Sequence, residues 1–119
     1  MSFKLFDSEL KVMDVLWREG AQTAGQLAKL LKAETGWNRN TTYTVIKKCV
    51  EKGAIERQEP GFVCVPLISK EEVLEQETGE LIDKLFDGST EQFFASFIKS
   101  KGMTKEKLEQ LRKLVDEHK

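Results

Sequence analysis

A mainly α-helical chain with one small β element is the fold class that this sequence predicts, on three observations. From Thr23 to Leu67 the chain reads as helix, short loop, helix, then two short strands around Glu59-Pro60-Gly61. One more amphipathic helix precedes Thr23. After Ile68 the composition shifts, and helical periodicity continues to the end, broken at Gly88 and Gly102. The order predicts a winged helix-turn-helix over residues 1–68 and a three-helix region over residues 69–119. A winged helix-turn-helix is a unit that sets one helix into a DNA major groove.

The first helix is SELKVMDVLWREG. Asp7 or Ser8 is expected to cap it and Gly20 to end it. Leu10, Met13, Leu16 and Trp17 recur at helical spacing, so that face is expected to pack on the next two helices. The second helix opens with Thr23 and Gln26 at capping-box spacing, where each side chain serves the other's backbone N–H. Leu27, Leu30 and Leu31 form its stripe, Ala24 and Ala28 allow close approach, and Thr35-Gly36 break it.

The third helix is expected from an Asn38 cap to Lys52, with Gly53 as its stop. Val45, Ile46, Cys49 and Val50 form the inward face. The opposite face carries Arg39, Asn40, Thr41, Tyr43, Thr44, Lys47 and Lys48. Short hydroxyl and amide groups near a helix N-terminus suit base edges and phosphates; a solvated polar face is the plainer alternative. In the wing, AIERQ and FVCVPL flank the turn as a two-stranded hairpin, and Pro66 marks an edge or a strand end because it cannot donate to a ladder. Arg57 is the wing's basic residue, and Glu59 at the tip makes a poor phosphate clamp.

Beyond Ile68, Ser69 and Glu72 form a second capping box before a helix striped by Val73, Leu74, Leu81, Ile82, Leu85 and Phe86. Gly79 within it costs about 1 kcal/mol relative to Ala and leaves room for a close helix approach. A short helix with Phe93, Phe94, Phe97 and Ile98 follows, and Thr104 caps a last one with Leu108, Leu111, Leu114 and Val115. Four of the seven phenylalanines lie between Phe86 and Phe97, more apolar surface than short helices hide among themselves. A two-fold dimer would cover it; folding back onto the first domain is the alternative.

Charge divides in the same place. Residues 1–68 hold ten Lys+Arg and eight Asp+Glu, a net +2; residues 69–119 hold nine and twelve, a net −3; the sum is the overall −1. The positive balance thus falls on the expected reading head. Two cysteines and one histidine, His118, fall short of the four ligands of a structural zinc, so neither a metal nor a cofactor is expected. Cys49 and Cys64 read as core residues. No phosphate loop or nucleophile–base set is present, which argues against an enzyme. No apolar run reaches membrane-spanning length and MSFKLFDSEL lacks the pattern of a secretory signal, so a cytoplasmic location without membrane insertion is expected.

The whole pattern resembles the penicillinase-repressor (BlaI/MecI/CopY) family of bacterial transcription repressors. The resemblance rests on SELKVMDVLW, on WNRNTTYTV with its exit KKCVEKGAI, and on the tail pattern from LFDGS to LVDEHK. It implies a C-terminal dimerisation region, here including Leu74, Leu81, Leu85, Phe86, Phe93, Phe94, Phe97, Leu108, Leu111, Leu114 and Val115, and a homodimer on a palindromic double-stranded operator. By the same resemblance Thr41 and Thr44 match operator-contacting positions, with Arg39, Asn40, Tyr43, Lys47, Lys48 and Arg57 beside them, and the regulated genes are of β-lactam-resistance type. It further implies inactivation by a membrane-bound sensor metalloprotease, at a bond matching Ser96-Phe97. The copper-responsive branch carries paired Cys-x-Cys motifs, absent from this sequence. The alternative reading is a winged-helix protein-interaction module, which a heparin column would separate from a DNA binder.

Overall fold

The computed structural model describes residues 4–117. His118 lies outside the described residues. Helices α1 (Asp7–Glu19), α2 (Ala24–Thr35) and α3 (Arg39–Glu51) are followed by strands β2 (Ile55–Gln58) and β3 (Val63–Pro66), with β1 (Gln22–Thr23) between α1 and α2. Helices α4 (Lys70–Phe86), α5 (Thr90–Lys101) and α6 (Lys105–Glu117) complete the chain. It divides into two compact units, Met1–Glu77 and Thr78–Lys119, and the division falls within α4.

Local chemistry sets the helix ends. Thr23 and Gln26 exchange the two bonds of a capping box: Thr23 N–H donates to Gln26 Oε1 at 2.9 Å and Gln26 N–H to Thr23 Oγ1 at 3.1 Å. Asn38 Oδ1 accepts from Thr41 N–H at 2.8 Å. Gly36 ends α2 in the left-handed conformation, which only glycine adopts without a Cβ penalty. Ser69, Ser89 and Thr104 each accept a backbone N–H three residues on. The start of α1 corrects the expectation of Asp7 or Ser8. Phe6 occupies the cap position, and Glu9 reaches back to accept its N–H at 2.8 Å. A phenylalanine has no capping oxygen, so the usual signal is absent there.

The wing has three strands where a two-stranded hairpin was expected, in the order β1-β3-β2 and antiparallel throughout. The third strand is two residues long, pairing Gln22 with Cys64 and Thr23 with Val63, and so carries no alternation to read. Pro66 is the last residue of the central strand.

The core of the first unit is built by Val12, Met13, Val15 and Leu16 of α1, Leu27 and Leu31 of α2, Ile46 and Cys49 of α3, and Ile55 and Cys64 of the wing. Trp17 is half-buried at its edge and donates its indole N–H to the Ile68 carbonyl at 3.0 Å, fixing the exit from the wing. Glu9 is also fully buried, 2.6 Å from Lys52 Nζ at the far end of α3. Lys52 donates as well to the Lys4 carbonyl at 2.7 Å and lies 4.1 Å from the Phe6 ring centroid.

In the second unit Phe93 is the centre of an aromatic cluster, with Phe94 at 5.5 Å, Phe86 at 5.8 Å and Phe97 at 6.2 Å between ring centroids. Neither α5 nor α6 has a buried residue. An added Cβ at Gly79 would meet nothing within 4 Å, so the close approach expected there is not present in the chain. Among the described residues, no helix is long and apolar enough to cross a membrane, and no group of His, Cys, Asp and Glu could hold a metal ion.

Candidate nucleic-acid interface

Helix α3 sorts its side chains into two faces. Thr42, Val45, Ile46 and Cys49 are buried, one turn apart at i, i+3, i+4 and i+7. Arg39, Asn40, Thr41, Thr44, Lys47 and Lys48 are exposed, and Tyr43 is half-buried between the two faces. Thr42 belongs to the stripe by spacing, a signal readable in the sequence but missed because threonine is polar. Its hydroxyl is buried without a hydrogen-bond partner.

The exposed face is tied to the wing by aromatic rings. Arg39 donates to the Tyr43 hydroxyl at 2.9 Å and lies 5.0 Å from that ring's centroid. Tyr43 meets Phe62 edge to face at 5.8 Å. Arg57 lies over the Phe62 ring, its guanidinium carbon 3.6 Å from the centroid. Phe62 holds this place with a positive φ of 52°, right after Gly61 at 96°. A non-glycine residue in that region is strained by about 1–2 kcal/mol, so the packing on Tyr43 and Arg57 has to offset a local cost. No basic residue stands at this point of the wing; an aromatic spacer does.

Tyr43, Thr44 and Lys47 of α3 therefore converge with Arg57 and Phe62 on one groove of about 360 Å³, floored by Val50. Thr44 donates its hydroxyl back to the Asn40 carbonyl at 2.9 Å, which fixes its rotamer and leaves an oxygen facing outward as acceptor. Asn40, Thr41 and Lys48 are exposed but do not line this groove. A second, smaller cleft lies between α2 and the start of α3, lined by Lys29, Lys32, Asn38 and Arg39. Its two lysines were missed at the sequence level; their i, i+3 spacing on the polar face of α2 was the available signal. In a helix-turn-helix the helix before the reading helix crosses the DNA backbone, where such lysines suit phosphates.

Arg57 is not a free cation. Its Nε donates to Glu59 Oε1 at 2.6 Å, and Glu59 Oε2 accepts the Phe62 N–H at 3.2 Å. The Arg57 hydrogen bond, with the Phe62 N–H second, holds the Glu59 carboxyl below the usual carboxylate range. Burial raises both thiols, Cys49 to about 12 and Cys64 to about 11, so neither is a thiolate at neutral pH.

The family profile described as penicillinase repressor matches residues 5–117. The penicillinase repressor of Bacillus licheniformis is 24% identical over 118 residues, covering 98% of this chain and 92% of that one. An uncharacterised 16.5 kDa protein of Latilactobacillus sakei is 26% identical over 110 residues, covering 91% and 75%. Among solved structures, the DNA-binding domain of the repressor BlaI is similar with a TM-score of 0.55 at 28% identity, over 59% of this chain and 88% of that one. Monomeric Bacillus licheniformis BlaI in complex with the blaP half-operator gives a TM-score of 0.52 at 28% identity, over 58% and 87%.

Proposed function

We propose, from the premise that this chain belongs to the penicillinase repressor family, that it works as a homodimer on a palindromic operator, with α3 as the reading helix. The family is one of DNA-binding, non-enzymatic transcriptional repressors with a winged helix. The observation that carries the reading is the exposed polar and cationic face of α3, joined to the wing through Tyr43 and Phe62. Thr41, Thr44 and Asn40 face the bases; Arg39, Tyr43, Lys47 and Lys48 hold the phosphates beside them, and Arg57 stands on the same side from the wing. Lys29 and Lys32 extend the phosphate contact along α2. The reading head comprises residues 1–68 and the dimerisation region residues 69–119, with Leu74, Leu81, Leu85, Phe94, Phe97, Leu108, Leu114 and Val115 exposed for a second copy to cover. The half-buried Phe86, Phe93 and Leu111 support that surface from beneath. The chain acts in the cytoplasm on genes of the β-lactam-resistance type.

Inactivation occurs by cleavage at Ser96-Phe97 through a membrane-bound sensor metalloprotease. The bond lies in α5, whose residues are exposed or half-buried, so unwinding it for a protease exposes little that was hidden. Co-expression with such a protease should yield a fragment ending at Ser96, and an intact chain would remove this part of the reading.

DNA binding is tested by anisotropy titrations at several salt concentrations. Lys47→Ala should weaken binding to every sequence and flatten the slope of log K against log salt by about 0.9. Thr44→Ala should lower the preference for operator over mixed-sequence DNA. Equal loss on both would make Thr44 a positioning group, and no salt-dependent binding by the parent chain would overturn the function.

A further inference from the structure

The wing carries one cation, Arg57, and a carboxylate is fastened to it. Each partner is held at two points. Arg57 sits over the Phe62 ring and donates Nε to Glu59; Glu59 accepts from Arg57 and from the Phe62 backbone. Both side chains are about half exposed, at 51% and 56%. The ion pair therefore sits on the surface, beside the groove that Lys47 and Thr44 share with Arg57. A guanidinium in that position would otherwise add one phosphate contact, and phosphate contacts strengthen binding to any sequence. With Glu59 attached, the local charge sums to zero and a phosphate approaching Arg57 also meets the carboxylate.

We propose that Glu59 masks Arg57, so that the wing adds no sequence-independent attraction to DNA. The consequence concerns the absolute affinity for any duplex and its salt dependence, because a sequence-independent contact strengthens binding to operator and bulk DNA alike. Discrimination is then left to the α3 hydroxyl and amide groups, while the aromatic contact of Phe62 with Tyr43 keeps the wing in place without a charge. Glu59 remains ionised through the neutral range because Arg57 and the Phe62 N–H both favour its charged form. This inference rests on the DNA-binding reading above.

The test is a double-mutant cycle on the full chain with Glu59→Gln, Arg57→Gln and both together, titrated against a labelled mixed-sequence duplex at several salt concentrations. Glu59→Gln should tighten binding about three- to tenfold at low salt and steepen the salt slope by about 0.9, the signature of one added phosphate contact. Arg57→Gln alone leaves the Glu59 carboxylate uncompensated and should weaken binding less than Lys47→Ala does, while the double variant, neutral at the wing like the parent, should bind like the parent. Unchanged or weakened binding by Glu59→Gln overturns the proposal, and weakening would mean that Glu59 holds Arg57 onto a phosphate. A loss with Arg57→Gln as large as with Lys47→Ala overturns it as well. Lys47→Ala run in parallel separates the two failures. If Lys47→Ala flattens the slope and Glu59→Gln does nothing, only the masking role falls; if the parent chain shows no salt-dependent binding, both readings fall.

Discussion

In residues 4–77 each of the first three helices sends a stripe into one core, and the wing closes that core with Ile55 and Cys64. In α5 and α6 no residue is buried, although these helices carry phenylalanines, leucines and a valine at regular spacing. Both regions have amphipathic helices with sound caps. They differ in what the apolar face meets. The first unit satisfies its stripes internally, so its stability is a property of one chain. The second presents Leu81, Leu85, Phe94, Phe97, Leu114 and Val115 to solvent, the surface that the proposed second copy would cover. Periodicity reports that a helix has an apolar face; it does not report who covers it.

Four variants sharpen or break this contrast. The largest effect belongs to the core: Ile46→Ala removes a fully buried side chain and should cost roughly 3–4 kcal/mol in urea unfolding. Lys52→Met comes next. It leaves the buried Glu9 carboxylate without its cation, for a loss of about 3 kcal/mol that a shared loss in Glu9→Gln/Lys52→Met should partly recover. Leu85→Ser, at 64% exposure, should change the unfolding of an isolated chain by less than about 0.5 kcal/mol. In the proposed dimer it should instead abolish the rise of Tm with protein concentration. A core-sized loss for Leu85→Ser at every concentration would place Leu85 in an intramolecular core and break the contrast. Thr42→Val should stabilise by about 1 kcal/mol, because it replaces a buried hydroxyl that has no partner by a methyl of similar shape.

A further effect is set by pH. The folded Cys49 thiol is raised from 9.0 to about 12. The unfolded chain therefore loses that proton first, and the stabilisation is intact below pH 9 and lost as pH rises toward 12. At pH 8 neither Cys49 nor Cys64 should react with an alkylating reagent until denaturant is added, as mass spectrometry of the intact chain would record.

Much of this was legible in the sequence because the signals are local. The Thr23–Gln26 box, the Asn38 cap and the stops at Gly20, Gly36 and Gly53 each depend on residues within one helical turn. The stripes of α1, α2 and α3 follow from a 3.6-residue period. What stayed hidden depends on distant partners. Glu9 reads as a solvated first-turn acid until Lys52, 43 residues on, comes beside it. β1 is a strand only because β3 lies alongside. At the candidate site the polar face of α3 was readable, but the bridge from Tyr43 to Phe62 and the pairing of Arg57 with Glu59 were not. The first depends on the wing turn placing Phe62, in a left-handed conformation that a sequence pattern does not announce, against Tyr43.

The central claim is that two chains, joined through residues 69–119, present two α3 helices to one operator. Sedimentation equilibrium of the full chain across the concentration range in which it binds DNA tests this most directly. A particle of twice the 13.6 kDa chain mass is expected, and it should revert to a single chain in Leu85→Ser. A single 13.6 kDa species in the parent protein at DNA-binding concentrations would contradict the claim.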